Sequence, residues 1–361
     1  VDVREITSFE EFAERHGDDW RCLVDMSEAA TAFQTWEWTR AWWLHYGGTR
    51  RLWALAFVED GVTVGLAALT IARGPLRTAR FVGTGGSDYL DLLAAPGYAT
   101  AVAGAFGDAL REQRRRWDWV DLQQVRPGAV AEQIPGAQRW PGETCPYLPL
   151  PESWEAFTKA LSKKLRGNIG YYERSLRKQY ELTLRVATDD TLETDLSAFF
   201  ELHQRRWHQR WMPGAFASRR AQAFHRDAAR ALLGAGRLRL HVLELDGEIQ
   251  ATLYCFQKGA RCHYYLGGFE PTLARLSLGT VLTARAIRYA LEEDRATEFD
   301  FLRGNEPYKY RWGAIDRPNA RLSLTRPGIR PLLLAASGRL ALAAEQQAKD
   351  WMHHRGVRGN A

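Results

Sequence analysis

Two short stretches of this chain gather side chains able to do chemistry. The first, Phe299-Asp-Phe-Leu-Arg-Gly-Asn-Glu-Pro-Tyr-Lys-Tyr-Arg-Trp-Gly313, puts Asp300 in an apolar strand, Glu306 in the adjoining loop and the phenols of Tyr308 and Tyr310 a few residues on. Burial penalises the charged form of a carboxylate and makes it a stronger base, while a phenol can protonate an anionic leaving group. Asp300 and Glu306 are therefore candidate bases, Tyr308 a candidate acid, and Lys309 a donor toward a substrate. Asp300 also reads as an anchor for the guanidinium of Arg303 or Arg311. The second stretch, Arg275-Leu-Ser-Leu-Gly-Thr-Val-Leu282, sets small residues at the mouth of a helix. Unpaired N–H groups and the helix dipole at such a mouth can receive a pyrophosphate. Ser277, Leu278, Gly279 and Thr280 would line it, with Arg275 adding charge; an ordinary Ser cap followed by Gly has the same spelling.

Basic side chains interleave with aromatic ones in two further places. Lys159, Lys163, Lys164, Arg166, Arg174, Arg177 and Lys178 stand against only Glu173, with Tyr171 and Tyr172 among them. That tract suits a phosphorylated sugar or RNA, and equally a solvated helix face. Arg205, Arg206, Trp207, Arg210 and Trp211 form the second cluster; Trp207, Arg210 and Trp211 are candidates for stacking on or contacting a substrate, although helical packing has the same spacing. A net charge of +6 agrees with an anionic partner. Cys255, Cys262, His263 and the His353-His354 pair lack metal-site spacing, so no metal is expected. Neither a Gly-x-Ser-x-Gly elbow nor a phosphate loop of the nucleotide hydrolases occurs. Four cysteines in 361 residues are too sparse for a disulfide scaffold. With no run of about 18 apolar residues and no basic-then-apolar start, a cytoplasmic protein is expected.

The elements that must position these groups follow from periodicity. In the second half, Glu181–Val186 alternates as a strand, Leu192, Leu196, Phe199, Phe200, His203 and Trp207 recur at helical spacing, and Ser218–Leu233 reads as another helix. Leu238, Leu240 and Val242 alternate up to Asp246-Gly247, a hairpin turn. A strand at Arg261–Phe269, a helix to about Asp294, a strand at Glu298–Leu302 and a final strand near Arg321–Thr325 complete that half. The first half repeats the order: strand Val1–Ile6, helices at Phe9–Glu14 and Trp36–Tyr46, strands Leu52–Glu59 and Val62–Ile71 around Asp60-Gly61, a helix at Ala99–Arg116 and a strand at Trp119–Gln123. The reading is an α/β fold of two tandem domains, 1–150 and 151–330, each a mixed, mostly antiparallel sheet flanked by helices. A closing helix at 331–361 would follow, centred on Leu332–Ala344, and the Pro-rich stretch Pro127–Pro151 is the expected junction.

The element order, with Phe33-Gln-Thr-Trp-Glu-Trp38, Asp88-Tyr-Leu-Asp-Leu-Leu93, Leu202-His-Gln-Arg-Arg-Trp207, Ser277-Leu-Gly279 and the Phe299–Gly313 segment, resembles the GNAT superfamily. Within it, the likeness is to the CelD-like acetyltransferases, related to the Fem-type aminoacyltransferases that also carry two GNAT domains. The resemblance implies an acyl-CoA-dependent N-acyltransferase, an N-acetyltransferase above all, acting on the amine of a small or sugar-like acceptor. It also implies that coenzyme A binds with its pantetheine along Tyr265-Leu266-Gly267-Gly268 and its pyrophosphate at Arg275 to Thr280, with the first domain structural or acceptor-binding. The superfamily's Gln/Arg-x-x-Gly-x-Gly/Ala signature is met at the two small positions by Ser277 and Gly279, whereas Arg275 stands one residue late. The alternatives are an aminoacyl-tRNA donor, as in the Fem-type relatives, or a binding protein on a GNAT scaffold.

Overall fold

The computed structural model describes residues 1–72, 76–208 and 214–328. The first half runs β1 (Asp2–Ile6), α1 (Phe9–Met26), α2 (Trp36–Tyr46), β2 (Arg51–Glu59), β3 (Val62–Ile71), β4 (Thr78–Phe81), β5 (Leu93–Ala94), α3 (Ala99–Glu112) and β6 (Trp119–Val125). After β7 (Gln138–Pro149), α4 (Trp154–Ala160) and α5 (Lys163–Gln179), the second half repeats it. Its elements are β8 (Leu182–Val186), α6 (Leu192–His208), α7 (Arg219–Gly234), β9 (Leu238–Leu245), β10 (Glu248–Lys258), β11 (Arg261–Phe269), α8 (Leu278–Glu292) and β12 (Glu298–Asp300). A short α9 (Pro307–Arg311) and β13 (Ile315–Thr325) close the described chain. Arg210, Trp211, the expected helix at Leu332–Ala344 and His353-His354 lie outside the described residues. No helix among the described residues is long and apolar enough to cross a membrane.

The local causes are the ones that periodicity and capping dictate. Ser8, Thr35 and Ser218 accept from the backbone N–H three residues on, at 3.3, 3.4 and 3.1 Å, and so start α1, α2 and α7. Asp60-Gly61 and Asp246-Gly247 both adopt positive φ (49° and 80°, 52° and 80°), the left-handed pair that a two-residue hairpin requires.

All strands belong to one 13-stranded sheet in the order β1-β2-β3-β4-β6-β13-β7-β12-β11-β10-β9-β8, with β5 on β3. The two halves are thus mirror runs of the same ladder, and the strand that closes each run comes from the other. The second half's β13 pairs with β6, while β7 pairs with β12, and β7 and β13 pair with each other from Ile315↔Tyr147 to Ser323↔Gln138. The Pro-rich stretch read as a junction therefore contains a 12-residue strand of the central sheet. Its prolines at 141, 146 and 149 mask it in a propensity reading, because proline donates nothing to a ladder. The last strand likewise begins six residues earlier than its apolar alternation suggests, at Ile315.

The core follows the same exchange. One apolar cluster lies under α3 and takes in Ala320 and Leu322 of β13, one lies under α8 and α5 and takes in Leu148 of β7, and the third joins the halves directly: Trp38, Phe33 and Trp42 of the first pack with Phe224, Tyr254 and Phe256 of the second. Trp38 meets Phe224 and Phe256 edge-on at 4.9 and 5.5 Å. Across the exchanged strands, the buried carboxylate of Asp121 on β6 accepts from Arg80 and Gln123, each at 2.8 Å, and from Arg321 on β13 at 2.5 Å. Removing one partner of a buried pair leaves charge uncompensated. Asp121→Ala is expected to lower unfolding free energy by about 3 kcal/mol in urea titration; a loss below about 0.5 kcal/mol would show that β13 is held without it.

Candidate active site

β11 and β12 pair in parallel only over Arg261–His263 and Glu298–Asp300, although β11 continues to Phe269. Beyond His263 the two paths part, and that edge of β11 has no strand partner among the described residues. At the point of divergence the register of β11 against β10 slips: Tyr254 faces Leu266 and Cys255 faces Tyr264, so Tyr265 is an extra residue. Such a bulge re-aims the side chains around it. Tyr264 turns to the α8 side, where its ring meets Phe301 at 5.8 Å and Tyr308 at 6.5 Å. Tyr265 turns to the opposite face, packs between Phe33, Trp38 and His225, and donates its O–H to the carbonyl of Gly86 at 2.8 Å.

The glycines of this strand are set by close approach. A Cβ on Gly268 would lie 2.8 Å from the backbone N of His203, and one on Gly267 would lie 2.8 Å from the Tyr264 hydroxyl. α6 therefore crosses β11 backbone against backbone at Gly268. At the strand's far end, a six-residue helical segment over Pro271–Leu276, kinked at Leu273, leads into Ser277, which sits in the left-handed region at φ 55° and ψ 36°. α8 starts there without a side-chain cap, and the N–H groups of Leu278 and Gly279 have no partner among the described residues. A Cβ at Gly279 would touch the Phe269 ring at 3.3 Å. Arg206 of α6 stacks over that same ring at 4.5 Å and has no carboxylate partner among the described residues, so a free guanidinium stands beside the helix mouth. Arg275 is exposed near it.

The segment after β12 is tied to the first half. Asp300, fully buried, accepts from the Tyr89 hydroxyl at 2.7 Å, the Leu302 N–H at 2.7 Å and the Arg317 guanidinium at 2.8 Å. Its anchor is thus Arg317, which also grips Glu298 at 2.7 Å, and not Arg303 or Arg311. Arg303 instead pairs with Asp88 and, at 3.2 Å, with Glu143. Glu306 begins α9, its carboxylate against Gly304 and 2.9 Å from the Lys309 ammonium, with the side chain 37% exposed. Lys309, expected to touch a substrate, is buried: its ammonium donates to the carbonyls of Leu302, Arg303 and Gly304 at 2.7–3.1 Å and holds the loop closed. No N–H remains on it for another molecule. Trp207 directs its indole N–H to the Nε2 of His203 at 2.9 Å, and burial first, then the Arg206 charge, keeps that imidazole neutral with a pKa of about 4.

Burial pushes the Tyr264 phenol up to about 12 and the Tyr308 phenol well above its ordinary value, so both hold their protons at neutral pH. Two proton donors thus stand where the strands part, and the Glu306 carboxylate is near enough to raise both of them. Tyr264, Arg206, Asp88, Tyr89 and Arg317 were assigned no role from sequence. Tyr89 and Asp88 belong to a motif already singled out, and Tyr264 precedes the extra residue of the bulge. Arg317 carries no local signal, since its partners lie 17 and 19 residues away and on another strand.

Burial raises the Asp300 pKa from 3.8 to about 6 against the pull of Arg317. A folded value above the unfolded one means that the folded state binds the proton more tightly. Asp300 then favours folding most at low pH, and that contribution is lost as pH rises through about 6. Between pH 4 and 7 the wild type should lose stability relative to Asp300→Asn by roughly 2–3 kcal/mol in paired denaturation series. A pH-independent difference would mean that Arg317 alone sets the charge state.

Residues 163–310 match the family described as an acetyltransferase (GNAT) domain. No curated protein matches the chain. Among solved structures, FemX shares the fold with a TM-score of 0.66 at 12% identity, over 93% of this chain and 99% of that one. A conserved protein of unknown function from Bacteroides thetaiotaomicron gives 0.60 at 10% identity, over 86% and 97%. L-PGS from Bacillus licheniformis gives 0.53 at 15%, over 84% and 95%. With its repeated halves, parted strands and uncapped helix mouth, the chain shares its fold with FemX and L-PGS, and its residues 163–310 resemble an acetyltransferase (GNAT) domain.

Proposed function

We propose that the protein transfers an acyl group from acyl-CoA to the amine of a small or sugar-like acceptor, with residues 151–330 holding the donor and residues 1–150 supporting the acceptor side. The observation that carries this reading is the alignment of the unpaired β11 edge with the open mouth of α8. Thioester and pantetheine lie along Tyr265 to Gly268, and the pyrophosphate lies on the N–H groups of Leu278 and Gly279, with Ser277, Thr280, Arg275 and Arg206 around it. Such N–H groups bind anions without any ordering cost at the moment of binding. A donor made in the cytoplasm suits a cytoplasmic enzyme.

In the reaction the acceptor nitrogen attacks the thioester carbonyl carbon and a carboxylate takes the nitrogen's proton. The C–S bond then breaks, and a phenol protonates the leaving thiolate. Glu306 is the better placed base, because its carboxylate is partly exposed and held by one ammonium, whereas Asp300 already accepts three hydrogen bonds. Tyr308, beside Tyr264, is the proton donor, and Trp207 borders the acceptor. Calorimetry should show coenzyme A binding that Gly279→Glu abolishes, and Glu306→Gln should lower kcat by ~10²–10⁴ on an amine found by screening. No binding to the folded wild type would remove the acyl-CoA reading; full activity of the Glu306 variant would leave water as the base.

A second reading, an aminoacyl-tRNA donor, draws on the likeness to FemX along 93% of the chain and on the basic face of α5. A gel shift with charged tRNA at physiological salt, together with indifference to acyl-CoA, would put it first.

A further inference from the structure

The basic tract folds into a surface that acyl transfer does not use. α5 buries Leu165, Ile169 and Leu176, and the charges on the face turned away from them are all positive. Lys163, Lys164, Arg174 and Lys178 lie there with Tyr171, within an arc of about 100°. Tyr171 is 61% exposed. None of these four cations meets a carboxylate among the described residues, and the helix's one acid, Glu173, is taken by Arg177 at 2.8 Å.

On the flank of that face, between α5, α8 and the edge strand β8, lies a groove of about 700 Å³. Its apolar lining is aliphatic, with Ile169, Leu182, Leu184 and Val281, and Trp154 of α4 borders it. Arg166 and Arg177 line it from α5, Arg285 and Arg288 from α8. Arg288 reaches Glu292 at 2.8 Å, whereas Arg166 donates only to the carbonyl of Lys159 at 3.2 Å and Arg285 has no partner among the described residues.

Guanidinium groups gathered around one cavity repel one another unless an anion joins them. The aliphatic lining decides what the anion is attached to. Nucleic acid offers sugars and flat bases, which stack on aromatic rings and gain little from branched aliphatic side chains. A phospholipid offers a phosphate joined to hydrocarbon, and hydrocarbon is what these side chains can shield from water. The outward face suits the same partner, because Lys and Arg are drawn to an anionic bilayer and Tyr settles at the level of its headgroups.

We infer that α5 and the groove form a docking surface for an anionic membrane. One phospholipid sets its phosphate between Arg166 and Arg285 and hydrocarbon along Leu182, Leu184 and Val281, while Lys163, Arg174 and Lys178 meet neighbouring headgroups. Neither the acyl donor nor the acceptor enters this inference, so it stands or falls apart from the transfer reaction.

Two measurements on the full chain test it. The first is sedimentation with vesicles of phosphatidylcholine, alone or with about one third phosphatidylglycerol. The second is calorimetry with dihexanoylphosphatidylglycerol, a lipid short enough to stay monomeric, against dihexanoylphosphatidylcholine and inorganic phosphate. The wild type should bind the anionic vesicles at least about tenfold more tightly than the neutral ones, and the short anionic lipid more tightly than either control. Lys163→Glu with Lys178→Glu should weaken vesicle binding about tenfold and leave the short lipid unaffected, whereas Arg166→Glu with Arg285→Glu should weaken both. All four side chains are at least partly exposed, and an unaltered melting curve confirms that each variant folds. Inorganic phosphate binding as well as the short lipid would overturn the lipid assignment. Equal binding to both kinds of vesicle, binding to neither, or binding untouched by the substitutions would overturn the docking surface. RNA is the competing occupant: an oligoribonucleotide bound at physiological salt, with the vesicles ignored, would overturn the proposal in its favour.

Discussion

The arrangement depends on a buried ionic seam between the halves. Arg303 reaches Asp88, and Arg317 holds Asp300 together with Glu298 while Tyr89 donates to the same carboxylate. These contacts fix where the chain goes after β12, and so how far it departs from β11. Desolvating such charges is costly, and the return comes only when every partner is in place. Arg317 adds contact with the face of Tyr147, 3.8 Å away, on the strand paired to both β12 and β13. The exchanged strands and the site are thus one construction: β7 and β13 cannot separate without uncovering Asp300.

Within that frame the opening follows from simple geometry. A parallel pair three residues long, a bulge at Tyr265 and a loop locked by the Lys309 ammonium hold the two paths apart. α6 closes over the strand at Gly268 because no Cβ intervenes, and it brings Arg206 to the ring that covers the first turn of α8. The positive φ of Ser277 is the local strain that aims that turn's N–H groups outward, a conformation uncommon for a residue with a Cβ.

Much of this was legible in the residues. The duplication could be read from the two Asp-Gly hairpins and the repeated element order, and the helix mouth from Ser277-Leu-Gly279, because both depend on neighbours in sequence. What escaped depends on distant partners. β7 hides behind its prolines and pairs with strands more than a hundred residues on. The function of Lys309 is set by three carbonyls that only the folded loop presents, so its charge suggested a substrate contact where the fold uses it as a clasp. The Asp88-Tyr-Leu-Asp motif and the Phe299–Gly313 segment looked like separate signals, and they meet at Asp300 and Arg303.

The central claim is that the parted strands form the donor's binding channel, and a crystal structure with coenzyme A bound tests it most directly. The account predicts the pyrophosphate on the N–H groups of Leu278 and Gly279, the pantetheine along the unpaired edge of β11, and the sulfur within hydrogen-bonding reach of the Tyr308 or Tyr264 hydroxyl. Coenzyme A lying elsewhere on the protein, with the Tyr264–Tyr308 pair still closing the space between the strands, would contradict it.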